Sequence, residues 1–175
     1  MNNKNKEIEI KLSFKNKKDV LAKLGKKAEF VKKVNVHDIY YGLEDTQMKN
    51  SKNIIRVREI KNGKSELTFK SKVEDKNNIW HRIELTTEIS SAQTLDKIFS
   101  HIGVKKIYEY ESEKEYYNFL GMEIVFAKFT LPTLLEFMEI EGDLETDIRR
   151  VVNKLGSSVQ EVGEGFFNIF DKARG

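Results

Sequence analysis

A chain of 175 residues, 39% hydrophobic and 34% charged, can bury one core and fits a single domain over residues 1–175. It has no cysteine, which excludes a disulfide framework and thiolate chemistry and makes the cytoplasm the default location. Its net charge of +3 is too small to argue for a nucleic-acid surface, and no apolar run approaches the ~18 residues of a membrane span.

The first patterned stretch is Glu7-Ile8-Glu9-Ile10-Lys11. On a strand it puts Glu7, Glu9 and Lys11 on one face and Ile8, Ile10 and Leu12 on the other. Two carboxylates one strand repeat apart repel unless something positive lies between them. A divalent cation with a taste for hard oxygen ligands, Mg²⁺ or Mn²⁺, is the natural occupant; the plain alternative is a solvated charged face. Nothing behind Met1–Lys6 reads as an apolar signal region.

Residues 19–27 read as a short helix with Val20, Leu21 and Leu24 on its apolar side and Gly25 placed to end it. Residues 30–41 alternate again, and residues 42–51 read as a polar hairpin loop. Residues 54–60 form the next predicted strand, followed by the turn signal Asn62-Gly63 and a strand over residues 66–72. Residues 75–78 read as a loop. On the strand over residues 80–89, Arg82, Glu84 and Thr86 share one face.

Residues 91–101 read as a second helix, residues 104–119 as a long strand, Gly121 as a turn and residues 122–129 as another strand. The last clear strand, residues 134–141, carries Glu139 and Glu141 on one face. Residues 143–155 read as a helix ended by Gly156, and residues 165–173 as an aromatic-rich helix or turn that caps or packs on the barrel through Phe166, Phe167 and Phe170. His37, His81 and His101 lack metal-ligand spacing, and Trp80 reads as packing or a cavity-mouth contact.

About eight strands in meander order with three or four helices predict an α+β fold on an antiparallel sheet. Strand after strand pairs an apolar face with an ordered set of charges. Helices outside a closed barrel would turn those charges inward, and eight strands leave room for one small ligand. Inside, such charges are costly unless paired or met by a ligand. A triphosphate with bound metal meets that need, through arginine forks, lysine point charges and carboxylates on the metal.

Several motifs, in order, resemble the CYTH superfamily of triphosphate tunnel metalloenzymes. They are Glu7-x-Glu9-x-Lys11, Asp38-Ile39-Tyr40-Tyr41, Arg56-Val57-Arg58, Leu67-Thr68-Phe69-Lys70, Arg82-Ile83-Glu84 and Glu139-Ile140-Glu141. The resemblance implies an eight-stranded antiparallel β-barrel, a triphosphate tunnel, with helices packed outside. It implies that Glu7, Glu9, Glu139 and Glu141 hold Mg²⁺ or Mn²⁺. Glu84 would reach a second metal or pair with a basic neighbour. Lys11, Arg56, Arg58, Lys70, Arg82 and Lys114 would bind phosphates.

Catalytic roles fall by the same resemblance to Lys11, Tyr40 and Lys70, the last two orienting or activating water as in thiamine triphosphatases. A lysine beside the Tyr40 phenol would lower its pKa. Many members carry a Lys-x-Arg pair where this chain keeps only Lys114, and an aspartate where it has Ala127-Lys128. Length and the Arg82–Glu84 strand favour a class IV adenylyl cyclase, turning ATP into cyclic AMP and pyrophosphate. The alternatives are an inorganic or thiamine triphosphatase and a non-catalytic nucleotide or polyphosphate binder. The partners are then triphosphates rather than nucleic acid or membrane, and a homodimer fits the family's habit.

Overall fold

The computed structural model describes residues 5–43 and 53–174. Ten strands form one antiparallel sheet: β1 (Lys6–Phe14), β2 (Ala28–Leu43), β3 (Ile54–Ile60), β4 (Ser65–Lys70), β5 (Glu74–Lys76), β6 (Ile79–Ile89), β7 (Val104–Phe119), β8 (Met122–Leu131), β9 (Leu135–Glu141) and β10 (Val159–Glu161). Eight of them run in the order β1-β9-β8-β7-β2-β3-β4-β6, and β6 pairs back with β1 over Lys6–Ile10, which closes the barrel. β5 and β10 lie on the outside of this ring of pairings, as short additions to β6 and β1.

Two differences from the sequence reading have simple causes. The predicted loop at residues 75–78 is partly β5, because Glu74–Lys76 follow the edge of β6 before Asn77 and Asn78 turn at positive φ. β10 is only three residues long, below the length at which alternation is readable. The predicted loop over residues 42–51 lies outside the described residues from 44 onward, while Gly42 and Leu43 complete β2. The two tight hairpins were legible. Asn62 takes φ 61 between β3 and β4, and Gly121 takes φ 85 between β7 and β8, a region a glycine enters without penalty.

The helices are α1 (Lys17–Leu24), α2 (Ala92–His101), α3 (Glu145–Leu155) and α4 (Phe166–Arg174). α1 is started by the Asn16 side chain, which accepts from the Lys18 backbone N–H at 2.8 Å, and α2 by Ser91 in the same way. α1 and α3 cover the wall made by β1, β8 and β9. There Val20, Leu24, Ile148, Val151 and Leu155 meet Ile8, Ile10, Leu12, Ile124, Phe126, Met138 and Ile140 in the main core. Each such side chain contributes roughly 1.5–3 kcal/mol by leaving water. α2 covers β2 and β3 through Leu95 and Phe99 against Ile39, Tyr41 and Val57.

With the apolar faces taken by helices outside, the charged faces have only the interior to occupy. α4 lies across one end of the barrel. Phe170, fully buried, packs with Tyr110 and Phe129, and Phe166 and Phe167 join Tyr40 and Tyr108 in the same aromatic cluster. The tail therefore acts as a cap.

Candidate functional site

The interior is a cavity of ≈ 800 Å³ lined by side chains from all eight barrel strands. Glu7, Glu9, Lys11, Tyr40, Arg56, Arg58, Lys70, Arg82, Glu84, Lys114, Glu139 and Glu141 all line it, so every residue singled out from the sequence reaches one space. Strand alternation and register do the positioning. Glu7 faces Arg82 across β1 and β6, Lys70 faces Glu84 across β4 and β6, Glu9 faces Glu141 and Lys11 faces Glu139 across β1 and β9.

The charges are met largely by one another. Lys70 Nζ donates to Glu7 Oε1 at 3.0 Å and lies 2.6 Å from Glu84 Oε2. Arg82 donates through Nε to Glu7 and through Nη2 to Glu9 at 2.7 Å. Arg58 grips Asp38 with both Nε and Nη2, at 2.7 and 2.8 Å. Arg56 donates to Thr68 Oγ1 at 3.2 Å and lies 3.7 Å from Glu84, so Glu84 serves basic neighbours here. Lys11 is buried 3.9 Å from Glu139, with its ammonium between the Trp80 and Phe166 rings at 4.0 and 4.3 Å.

The ionisation of these groups follows from burial set against neighbours. Burial alone would raise Glu7, but Lys70 and Arg82 more than reverse this and hold it well below the carboxylate range. Glu9 is pushed up by burial and by Glu7 beside it. Burial would also raise Glu139, yet Lys114 and Lys11 bring it down. Glu141 is pushed up to about 8 by burial and by Glu7, Glu9 and Glu123. Lys11 is lowered by burial, and Lys114 falls to about 8 through burial and the nearby Arg58.

Tyr40 overturns one expectation. Burial and the Asp38 carboxylate push its phenol up to about 12, so it stays protonated near neutral pH, with an O–H available to donate.

Among the residues that escaped the sequence reading of the site are Lys32, Tyr116 and Glu123, which line the cavity, and Asp38, which is buried behind it. Asp38 lay in a quoted motif but was given no role; it is the buried partner of Arg58. Tyr116 and Lys32 face each other across β7 and β2, with the Lys32 ammonium 4.7 Å from the Tyr116 ring centroid. Glu123 sits opposite Glu141 across β8 and β9, so Glu9, Glu141 and Glu123 make a row of carboxylates on three adjacent strands. Alternation back from Ala127 could have found Glu123. Ala127 itself is buried in the aromatic cluster and Lys128 points out toward Glu136.

The donor set suits a hard divalent cation. Burial, with the repulsion of the neighbouring carboxylates added to it, favours a proton on Glu141, and a cation among them would relieve that. Among the described residues no three such side chains already converge on a point, because Glu7 and Glu9 are turned to Arg82 and Lys70. Glu9, Glu139 and Glu141 would hold the ion, with Glu7 released from its basic partners.

The fold recurs in solved structures. The PH1012 protein of Pyrococcus horikoshii OT3 is 24% identical, with a TM-score of 0.74 over 93% of this chain and 98% of its own. An adenylyl cyclase candidate from Hippeastrum, which has a dominant triphosphatase activity, is 15% identical with a TM-score of 0.75 over 95% of this chain and 96% of its own. An adenylate cyclase candidate from Vibrio parahaemolyticus is 15% identical with a TM-score of 0.72 over 95% and 98%. No curated protein matches the sequence. The CYTH domain model matches residues 5–162, which takes in every barrel strand and all but the aromatic cap. This chain belongs to the CYTH domain family.

Proposed function

We propose that the protein is a divalent-cation-dependent triphosphatase, acting on inorganic triphosphate or on the phosphate tail of an organic triphosphate such as thiamine triphosphate. CYTH enzymes act on triphosphates with divalent cations. The observation that carries the finer reading is the closed end. α4 and its aromatic cluster stop the barrel beside Tyr40 and Lys11, while Lys32, Glu123 and Glu141 lie toward the other end. A phosphate chain entering there arrives tail first. Its terminal phosphate then meets the deepest cations, and any organic group trails behind. Hydrolysis needs the terminal phosphate at that place; cyclisation needs the α-phosphate there.

On this reading Arg56, Lys70 and Arg82 hold phosphate oxygens, and the protonated Tyr40 hydroxyl donates toward the attacking water. Lys11 takes the water's proton in its deprotonated form, which burial makes more accessible by lowering its pKa. The water oxygen bonds to the terminal phosphorus, the bridging P–O bond breaks, and its electron pair leaves with the remaining pyrophosphate. A bound cation on the glutamates would neutralise charge on the phosphates. Cyclisation of ATP stays as the second reading. Trp80 and Phe166 favour it, since they present ring faces beside Lys11 against which a base can stack.

The test is product analysis with Mg²⁺ or Mn²⁺ on inorganic triphosphate, thiamine triphosphate and ATP, with Glu9→Gln as control. Phosphate release that the variant loses supports the triphosphatase. Cyclic AMP with equimolar pyrophosphate would replace it with the cyclase. Triphosphate binding without any product would leave a binding protein and refute both.

A further inference from the structure

The cations of the tunnel fall into two groups. Lys11, Arg56, Arg58, Lys70 and Arg82 each have a carboxylate oxygen within 4 Å. Lys6, Lys32, Lys72 and Lys114, which also line the cavity, have none among the described residues. We propose that Lys32 is a substrate-binding residue, whose ammonium takes a phosphate oxygen at the open end of the tunnel while Tyr116 supports it from behind; this rests on the triphosphate reading above.

Lys32 faces the interior because of a β-bulge. Phe30 pairs with Tyr117 and Lys32 with Tyr116, so Val31 is the extra residue, and it stands 58% exposed outside the ladder. Tyr117 packs against the outer core, and its partner Phe30 shares that outer face. Strict alternation from Phe30 would send Lys32 outward as well. The inserted residue reverses the parity and turns Lys32 into the cavity it lines. Bulges next to functional sites re-aim side chains in this way.

The support is suited to binding. A ring face holds an ammonium by its quadrupole and consumes none of its three N–H donors. A carboxylate partner would neutralise Lys32 and compete with an incoming phosphate. Lys32 is instead held in place by the ring, with no carboxylate oxygen within 4 Å among the described residues. Lys114 lies one strand repeat from Tyr116 on the same face of β7, and it too has no carboxylate oxygen within 4 Å among the described residues. Lys32 and Lys114 therefore line one side of the tunnel as the charge an entering polyanion meets before the neutralised pairs deeper in.

The experiment is isothermal titration of inorganic triphosphate in EDTA, where turnover cannot intervene, on the full chain and three variants. Lys33 supplies the control. It is the next residue, carries the same charge, and points outside, 2.7 Å from Glu113. Lys32→Ala is expected to weaken binding about 5-fold, the scale of one partly exposed charge contact. Lys32→Arg and Lys33→Ala should stay within about 2-fold. Wild-type affinity in Lys32→Ala, or an equal loss in Lys33→Ala, overturns the assignment. The enzyme reading separates cleanly. Triphosphate binding that depends on Lys32, with no turnover on adding Mg²⁺ or Mn²⁺, upholds Lys32 and refutes the triphosphatase. Turnover with Lys32→Ala unimpaired does the reverse, and a wild type that binds no triphosphate in EDTA and turns none over with Mg²⁺ or Mn²⁺ refutes both.

Discussion

Replacing Asp38 with alanine tests whether the tunnel is a low-dielectric interior or a water-filled channel. Asp38 is 2% exposed and Arg58 9%, and the two share a bidentate contact at 2.7 and 2.8 Å. In a dry interior, removing one partner strands a buried guanidinium and costs about 3–5 kcal/mol. In a wet channel the same pair is worth about 0–1 kcal/mol. For a domain of this size each kcal/mol moves Tm by roughly 2–4 °C, so the dry case lowers Tm by about 6–20 °C. Thermal and urea unfolding of Asp38→Ala decide between them, and a fall under about 3 °C refutes the dry interior. Asp38→Leu with Arg58→Met should recover most of the loss, because no charge is then left unpaired. The pH course gives an independent check. Burial would raise Asp38, but Arg58 overrides it, so the folded value lies far below the unfolded one near 3.8. The folded state therefore binds this proton less tightly than the unfolded state. The Asp38 contribution is complete above about pH 4 and shrinks as the pH falls toward the depressed folded value.

Glu141 should act in the opposite sense. With its folded pKa up at about 8 it holds a proton more tightly folded than unfolded, so its contribution is greatest below about pH 4.5 and is lost as the pH rises through 8. Thermal melts from pH 5 to 9 should show a decline that Glu141→Gln flattens, and parallel curves would count against it. Mg²⁺ binding at pH 7 should release up to about one proton into a weakly buffered solution, and Glu141→Gln should abolish that release. Phe170→Ala removes a fully buried ring from the cap and should cost about 3–5 kcal/mol in urea unfolding; a cost under about 1 kcal/mol would mean that α4 is only loosely seated. Ser112 buries a hydroxyl that has no hydrogen-bond partner among the described residues, so Ser112→Ala should leave stability unchanged or raise it in the same assay.

The barrel was legible because two independent patterns agree. Ile8, Ile10 and Leu12 alternate with Glu7, Glu9 and Lys11, and the same split recurs at Arg56 and Arg58, Thr68 and Lys70, and Arg82 and Glu84. Period two fixes the face, and ordered charges on one face have only an interior or a solvent reading. Closure itself was not written in any local pattern. It rests on the β1–β6 ladder, a pairing between residues 69 to 77 positions apart. Lys32 escaped although alternation could reach it. The ladder is regular from Lys32 to Tyr40, so counting back from Tyr40 and Asp38 puts it on the inner face, and the extra residue at Val31 inverts only the assignment of Phe30 beyond it. The protonated state of Tyr40 was hidden too, since it depends on burial beneath α4 and on Asp38 rather than on the lysine named beside it.

The pairing inside the tunnel also bears on how a polyanion could be held there at all. Placing five cations and five carboxylates in one cavity incurs their desolvation when the barrel folds, and the ion pairs offset it. On the proposed reading, a triphosphate with its cation exchanges partners rather than adding charge. Lys70 and Arg82 pass from Glu7 and Glu9 to phosphate oxygens, and the freed carboxylates turn to the cation. The side chains are already dehydrated and already aimed inward, so little solvent has to be stripped from the protein at the moment of binding. The lysines with no carboxylate within 4 Å among the described residues then have a distinct place in the sequence of events. Lys32 and Lys114 have no such ion pair to give up, so they can draw the polyanion in before any pair opens. A tunnel of paired charges alone would offer an entering triphosphate no net attraction; one with uncommitted cations along its side does.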